Sequence, residues 1–198
     1  METGTYTIKG IECGIAYNRE GWGPVVLLHG YSFTWKVWHE IGLLGELEAK
    51  GYSYIAPDMP YGRYSSCDRK IRDPDTSVSI VKSLVGELGG RPVLLGASLG
   101  GYIALKYAAR HGAGGLILVA PVGLGDPELE SLQASPPPTL IVYGSKDSIV
   151  NLDDMRRLES SLKGSKLVVY EGAGHAAYLD APGKFLGDVL DFLERLRS

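Results

Sequence analysis

Three residues in this chain have the types needed for acyl-transfer chemistry, and each stands just beyond an apolar run of its own. The first is Ser98, in Gly96-Ala97-Ser98-Leu99-Gly100-Gly101, between the apolar stretch 91–95 and a helix-like stretch 102–110. Strand, G-x-S-x-G and helix in succession is the context of a nucleophile elbow, whose sharp turn lifts one serine hydroxyl above a sheet. Glycines are needed there because the strained turn leaves no room for side chains at the flanking positions. The same turn aims the backbone N–H of Leu99 at the oxygen of a reacting carbonyl. A serine hydroxyl is a poor nucleophile near neutral pH and requires a base. His175, five residues beyond the run 166–170, can take its proton and return it to a leaving group. Asp147, which follows the run 139–143, can fix the imidazole tautomer and stabilise the imidazolium. A Gly/Ser turn of no chemical consequence is the competing reading of the first motif alone.

Other residues compete for these roles. Asp126 follows the run 115–120 and is the alternative acid. His29 ends the run 25–28, His39 lies on an expected helix, and His111 sits where a helix C-terminal dipole favours positive charge. The four histidines have no cysteine or carboxylate at ligand spacing, so no metal site and no cofactor are expected. Tyr31, Phe33, Trp35, Trp38, Tyr61 and Tyr64 either line an acyl pocket or, for about half of them, belong to the core. Cys67, in the loop 61–67, is a candidate reactive thiol.

The elements that must position these residues alternate in type. Residues 5–8 and 11–17 flank Lys9-Gly10 as an antiparallel hairpin. Runs 25–28, 52–56, 91–95, 115–120, 139–143 and 166–170 read as strands, most of them continuously apolar and so buried on both faces. Helices are expected over 35–50, from Asp75 or Thr76 to about Leu88, over 102–111, over 152–162 and over 182–196. The connection 121–138 is rich in Pro and Gly, with room only for a short helix at 128–132. An initial hairpin followed by alternating strands and helices implies one α/β domain over 1–198, a mostly parallel sheet of about eight strands covered on both faces. In such a sheet ligands sit beyond the carboxyl ends of the strands, where Ser98, Asp147, His175 and His29-Gly30-Tyr31 all fall.

Composition narrows the function classes. A net charge of −3 over 198 residues offers no basic field for nucleic acid or an anionic membrane. The first residues show neither a basic nor an apolar signal region, and two cysteines make no disulfide framework, so a reducing, cytoplasmic setting is expected.

At its motifs the chain resembles the α/β-hydrolase superfamily. Leu27-Leu28-His29-Gly30 is similar to that family's oxyanion-loop signature, and residues 52–60 (YSYIAPDMP) to its next strand and loop. Residues 140–147 (LIVYGSKD) resemble the acid strand, and 172–182 (GAGHAAYLDAP) the histidine loop. More narrowly, Trp38 to Leu47 and Tyr178-Leu179-Asp180 are similar to the small lidless abhydrolase-domain-fourteen group. Met59-Pro60-Tyr61-Gly62-Arg63 departs from the family's more usual Pro-Gly-x-Gly. The resemblance implies an α/β-hydrolase fold without a lid domain, and a serine hydrolase with Ser98, Asp147 and His175 as its triad. It also implies the N–H groups of Tyr31 and Leu99 as oxyanion donors, with His29 supporting the loop. The expected substrate is a small-molecule carboxylic ester with a short acyl group, because a site without a lid encloses little of a long chain. Thioester, amide or acyl-transfer chemistry uses the same machinery, and a non-catalytic binding module is the alternative of a different class.

Overall fold

The computed structural model describes residues 1–86 and 88–198. Eight strands form one sheet: β1 (Glu2–Ile8), β2 (Ile11–Asn18), β3 (Trp22–Leu28), β4 (Tyr52–Pro57), β5 (Val93–Ala97), β6 (Gly115–Val119), β7 (Thr139–Gly144) and β8 (Lys166–Tyr170). Their order is β1-β2-β4-β3-β5-β6-β7-β8. The hairpin β1–β2 and its junction with β4 are antiparallel, and every later pairing is parallel.

The apolar runs are continuous because the sheet is packed on both faces. Val26, Leu28, Leu94, Leu118 and Ile141 enter one core, with α3 (Pro74–Gly86), α4 (Leu99–His111) and α5 (Leu152–Ser161). Their strand neighbours Val25, Leu27, Leu95, Val119 and Val142 enter the other, with α1 (Lys36–Glu40), α2 (Leu43–Ala49) and α7 (Pro182–Arg197). Alternate residues of one strand thus serve opposite cores. Each fully buried Val or Leu contributes about 1.5–3 kcal/mol, so the central strands hold both layers in place.

The helix expected over 35–50 is two helices, because Gly42 at φ 84° turns the chain between α1 and α2. A short helix, α6 (Ala177–Asp180), precedes α7 and carries no periodicity long enough to be read from sequence. Of the helix expected to reach Leu88, α3 is described to Gly86, and Glu87 lies outside the described residues. The connection between β6 and β7 holds only a 3₁₀ helix, Pro127–Gln133, and inserts no lid domain.

The two cysteines correct an expectation. Cys13 of β2 and Cys67 form a disulfide, so neither is a free thiol and Cys67 is not available as a reactive group. They are 54 residues apart, but the loop runs back along β2: Gly14 N–H donates to Ser66 Oγ (2.7 Å) and Asp68 N–H to the Glu12 carbonyl (3.0 Å). That return is a tertiary contact, invisible to cysteine spacing.

Candidate active site

β5 ends in the elbow. Ser98 sits at φ 52° and ψ −114°, a strained backbone for a residue with a side chain, and α4 begins at the next residue. The flanking glycines are required by close approach. A Cβ on Gly96 would run into the Gly100 carbonyl, and one on Gly100 into the carbonyls of Leu28 and His29. The second glycine therefore lets the elbow press against the end of β3, where the next loop begins.

That loop is fixed by His29, which is wholly buried. Its Nδ1–H donates to the Gly30 carbonyl (2.8 Å), and its Nε2 accepts from Met59 N–H (2.9 Å). Only the neutral ring satisfies both bonds, and burial lowers the pKa of His29 in the same sense. Tyr61 donates its hydroxyl to the His29 carbonyl (2.7 Å). So His29 supports the loop, as the resemblance implied, and has no nitrogen left for proton transfer. Gly30 lies against the elbow: a Cβ on it would be 3.8 Å from Ser98 Cβ. Among the described residues the backbone N–H groups of Tyr31 and Leu99 donate to no protein acceptor.

Asp147 and His175 are brought together across 28 residues. His175 Nδ1–H donates to Asp147 Oδ2 at 2.7 Å, while Asp147 Oδ1 accepts from Ile149 N–H (2.7 Å) and Val150 N–H (3.1 Å). The Asp147 side chain is fully buried and that of His175 is 20% exposed. The histidine loop reaches this position by folding over the end of β7. Lys146 N–H donates to the Ala173 carbonyl (2.8 Å), and Gly144 has no room for a Cβ beneath the carbonyls of Ala173 and Gly174. With Nδ1 carrying the proton, His175 Nε2 is a free lone pair, buried and without a hydrogen-bond partner among the described residues. No hydrogen bond joins it to Ser98 among those residues.

Asp126 is committed elsewhere. Its Oδ2 accepts from the Tyr102 hydroxyl (2.6 Å) and Lys106 Nζ (2.8 Å), and its Oδ1 caps the 3₁₀ helix through Glu128 N–H (3.0 Å). Lys106 also pairs with Glu128 (2.6 Å), which pairs in turn with Arg110. Burial opposes the charge on Lys106, but these carboxylates outweigh it and raise its pKa. His39 is exposed on α1. His111 packs edge-on to Tyr107, and partial burial together with Lys82 and Arg110 lowers its pKa, against the dipole expectation. Of the six aromatics, Trp38 and Tyr61 are core, whereas Tyr31 and Tyr64 are exposed.

Sequence reading missed Asp58. Although buried, it accepts from Trp35 N–H (2.8 Å) through Oδ1 and from Ser66 N–H (2.8 Å) through Oδ2, tying the loop after β3 to the loop after β4. An aspartate directly after an apolar strand was the available signal. Asp180 was missed too: it accepts from Gly174 N–H (2.7 Å) and braces the histidine loop.

A family model described as "Alpha/beta hydrolase family" matches residues 25–134, more than half the chain, and one described as "alpha/beta hydrolase fold" matches 123–182. The chain belongs to the alpha/beta hydrolase family. Its curated relatives within that family include Protein ABHD14A of Danio rerio, 36% identical over 175 residues, and ABHD14B of Rattus norvegicus, 31% identical over 207 residues. The second is named as a candidate protein-lysine deacylase, and the match covers 99% of this chain and 97% of that protein. The chain spans 64% of the length of the ABHD14A relatives of Danio rerio and Homo sapiens, and 87% of this chain is covered in each match. Among solved structures, a predicted CIB-like hydrolase from Thermoplasma acidophilum superposes with a TM-score of 0.88 at 26% identity, over 98% of each chain. The esterase EaEST from Exiguobacterium antarcticum shares the fold, with a TM-score of 0.81 at 20% identity over 97% of this chain and 98% of that one.

Proposed function

We propose that this member of the family is a serine hydrolase that cleaves short-chain carboxylic esters of small molecules through an acyl-enzyme. The observation that carries the reading is the buried, unpartnered Nε2 of an imidazole whose other nitrogen is held by Asp147. In the proposed first step, Ser98 Oγ attacks the ester carbonyl carbon while its proton passes to His175 Nε2. The carbonyl π pair moves onto oxygen, and the N–H groups of Tyr31 and Leu99 receive the resulting oxyanion. As the tetrahedral intermediate collapses, the C–O bond to the alcohol breaks and His175 gives the alcohol its proton. Water then attacks the acyl-enzyme by the same steps, releasing the acid and restoring Ser98. Asp147 holds the ring in the productive tautomer and offsets the positive charge of the imidazolium.

The short-acyl preference is supported by the absence of a lid between β6 and β7. A net charge of −3 supports a small-molecule substrate rather than nucleic acid or membrane. A second reading, hydrolysis of an acyl-lysine amide, is favoured by the name of the ABHD14B relative. It differs only in the leaving group, an amine protonated by His175. The Cys13–Cys67 bond weighs against the cytoplasmic setting expected from two free thiols, since cytosolic thiols are kept reduced. Whether both cysteines react with a maleimide in freshly lysed cells decides that point.

The test of the reading is covalent. A fluorophosphonate probe should label the wild-type chain once, and Ser98→Ala should abolish both labelling and hydrolysis of p-nitrophenyl acetate while the far-UV circular dichroism is unchanged. Labelling that persists in that variant overturns the assignment. Turnover of an acetyl-lysine peptide at a kcat/KM above that for the ester selects the amide reading.

A further inference from the structure

A cavity of about 670 Å³ has neither Ser98 nor His175 in its lining. It lies between α4, the 3₁₀ helix and α5, with Leu105, Leu132, Met155 and Leu158 among its lining residues. These four are buried members of one core. Of its charged lining residues, Glu130 and Arg157 are exposed and so edge its opening to solvent, while Asp126 and Asp154 are half-buried. A volume in this range, apolar at its inner end and edged by Asp126, Glu130, Gln133, Asp154 and Arg157, suits a small organic group.

Three hydrogen bonds connect the cavity lining to the candidate site. Val122, a lining residue, donates its N–H to the Ser98 carbonyl at 3.3 Å. Ile149 and Val150, also lining residues, donate theirs to Asp147 Oδ1. Ile149 is 65% exposed, an isoleucine left in water beside a buried carboxylate with no core to serve.

The side on which the cavity opens identifies the part of the substrate. In the proposed reaction the carbonyl oxygen turns toward Tyr31 and Leu99, at the ends of β3 and β5. The leaving group takes its proton from His175 Nε2, so it departs beside the Asp147–His175 pair. The cavity reaches the Asp147 member of that pair, through the N–H groups of Ile149 and Val150 on Oδ1, and has neither Tyr31 nor Leu99 in its lining. We infer that the cavity between the 3₁₀ helix and α5 holds the apolar leaving group of the substrate, so that the enzyme takes short acyl groups carried on apolar alcohols of medium length. This rests on the serine-hydrolase reading and extends it to the other half of the substrate.

The experiment compares two ester series by kcat/KM, which reports the steps through acylation. One series is the acetates of straight-chain alcohols from methanol to octanol. The other is the ethyl esters of acids from acetate to octanoate. Methylenes that become buried raise kcat/KM by up to about fourfold each. The alcohol series should therefore climb to hexyl or octyl acetate, and the acid series should stay within about threefold or fall. Leu129→Trp, which adds bulk from the 3₁₀ helix into the cavity, should lower the ratio of octyl to methyl acetate at least tenfold. Because that ratio is taken within one protein, a change in the folded fraction does not move it. A climb in the acid series with a flat alcohol series overturns the inference, as does an octyl-to-methyl ratio unchanged by Leu129→Trp. No turnover of any ester, with Ser98 unlabelled by the fluorophosphonate, overturns the hydrolase reading and this inference with it.

Discussion

Two loops leave the carboxyl edge of this sheet carrying an aspartate, and only one of the aspartates meets a base. Asp147, beyond β7, is buried, takes two backbone N–H groups on one oxygen and presents the other to His175. Asp126, beyond β6, is more exposed, and both of its oxygens are already taken by Tyr102, Lys106 and the N–H of Glu128. A carboxylate at the end of a strand is therefore not enough to orient a histidine. It must also have an oxygen that no cation has claimed. The second loop instead anchors α4, the helix that begins beside Ser98, through an ion-pair network reaching Arg110 and Asp75.

The comparison breaks most sharply at the acids themselves. Asp147→Asn should keep the fold and lower kcat by a factor on the order of 10⁴, because the amide favours the wrong imidazole tautomer. Asp126→Asn should change kcat by no more than about twofold, the scale of substitutions remote from the reacting atoms. Steady-state hydrolysis of p-nitrophenyl acetate measures both, and the reverse pattern would move the acid to the other loop.

Next in size are the glycines of the same two loops. A methyl on Gly144 meets the carbonyls of Ala173 and Gly174, so Gly144→Ala must push the histidine loop outward. The expected cost is about 1–3 kcal/mol of stability. A displacement of His175 near 1 Å would add a loss of about 10² in kcat. A methyl on Gly125 would meet nothing within 4 Å, and its φ is not positive, so Gly125→Ala should be silent in both assays. Equal effects of the two substitutions would show that the histidine loop does not depend on its crossing of β7.

The smallest effect is the pH dependence of the second loop. Hydrogen bonds from Arg110 and Lys106 hold the Glu128 carboxyl at about 2, and those from Lys106 and Tyr102 hold Asp126 well below the usual carboxylate range. Below pH 4.5 the unfolded chain takes up protons that these folded carboxylates resist. Their contribution is thus complete above that pH and is lost as pH falls toward 2. Lys106→Met should flatten this part of the curve, seen as a smaller drop in urea midpoint between about pH 4.5 and about pH 3 than in wild type. An unchanged slope would mean that the network adds nothing to stability.

The same contrast separates what could be read in the chain from what could not. Both aspartates follow apolar runs, and the preference for Asp147 rests on strand position and resemblance, since neither spacing reveals a partner. The cation that occupies Asp126 lies 20 residues earlier, on another element, and only packing brings it there. The split of the helix at Gly42 was missed because the apolar spacing continues through the break while the backbone does not.

By itself the sequence determined the order of strands and helices, the two-sided burial of the sheet and the elbow at Ser98. Those follow from local rules: apolar periodicity, turn glycines and the crowding of a tight bend. The tertiary structure alone decided that Cys13 meets Cys67, that Asp58 ties two loops together, and that a cavity lies beside the elbow where no lid is inserted. Each of these depends on how segments far apart in the chain pack against one another, and that distance carries no periodic signal along the sequence.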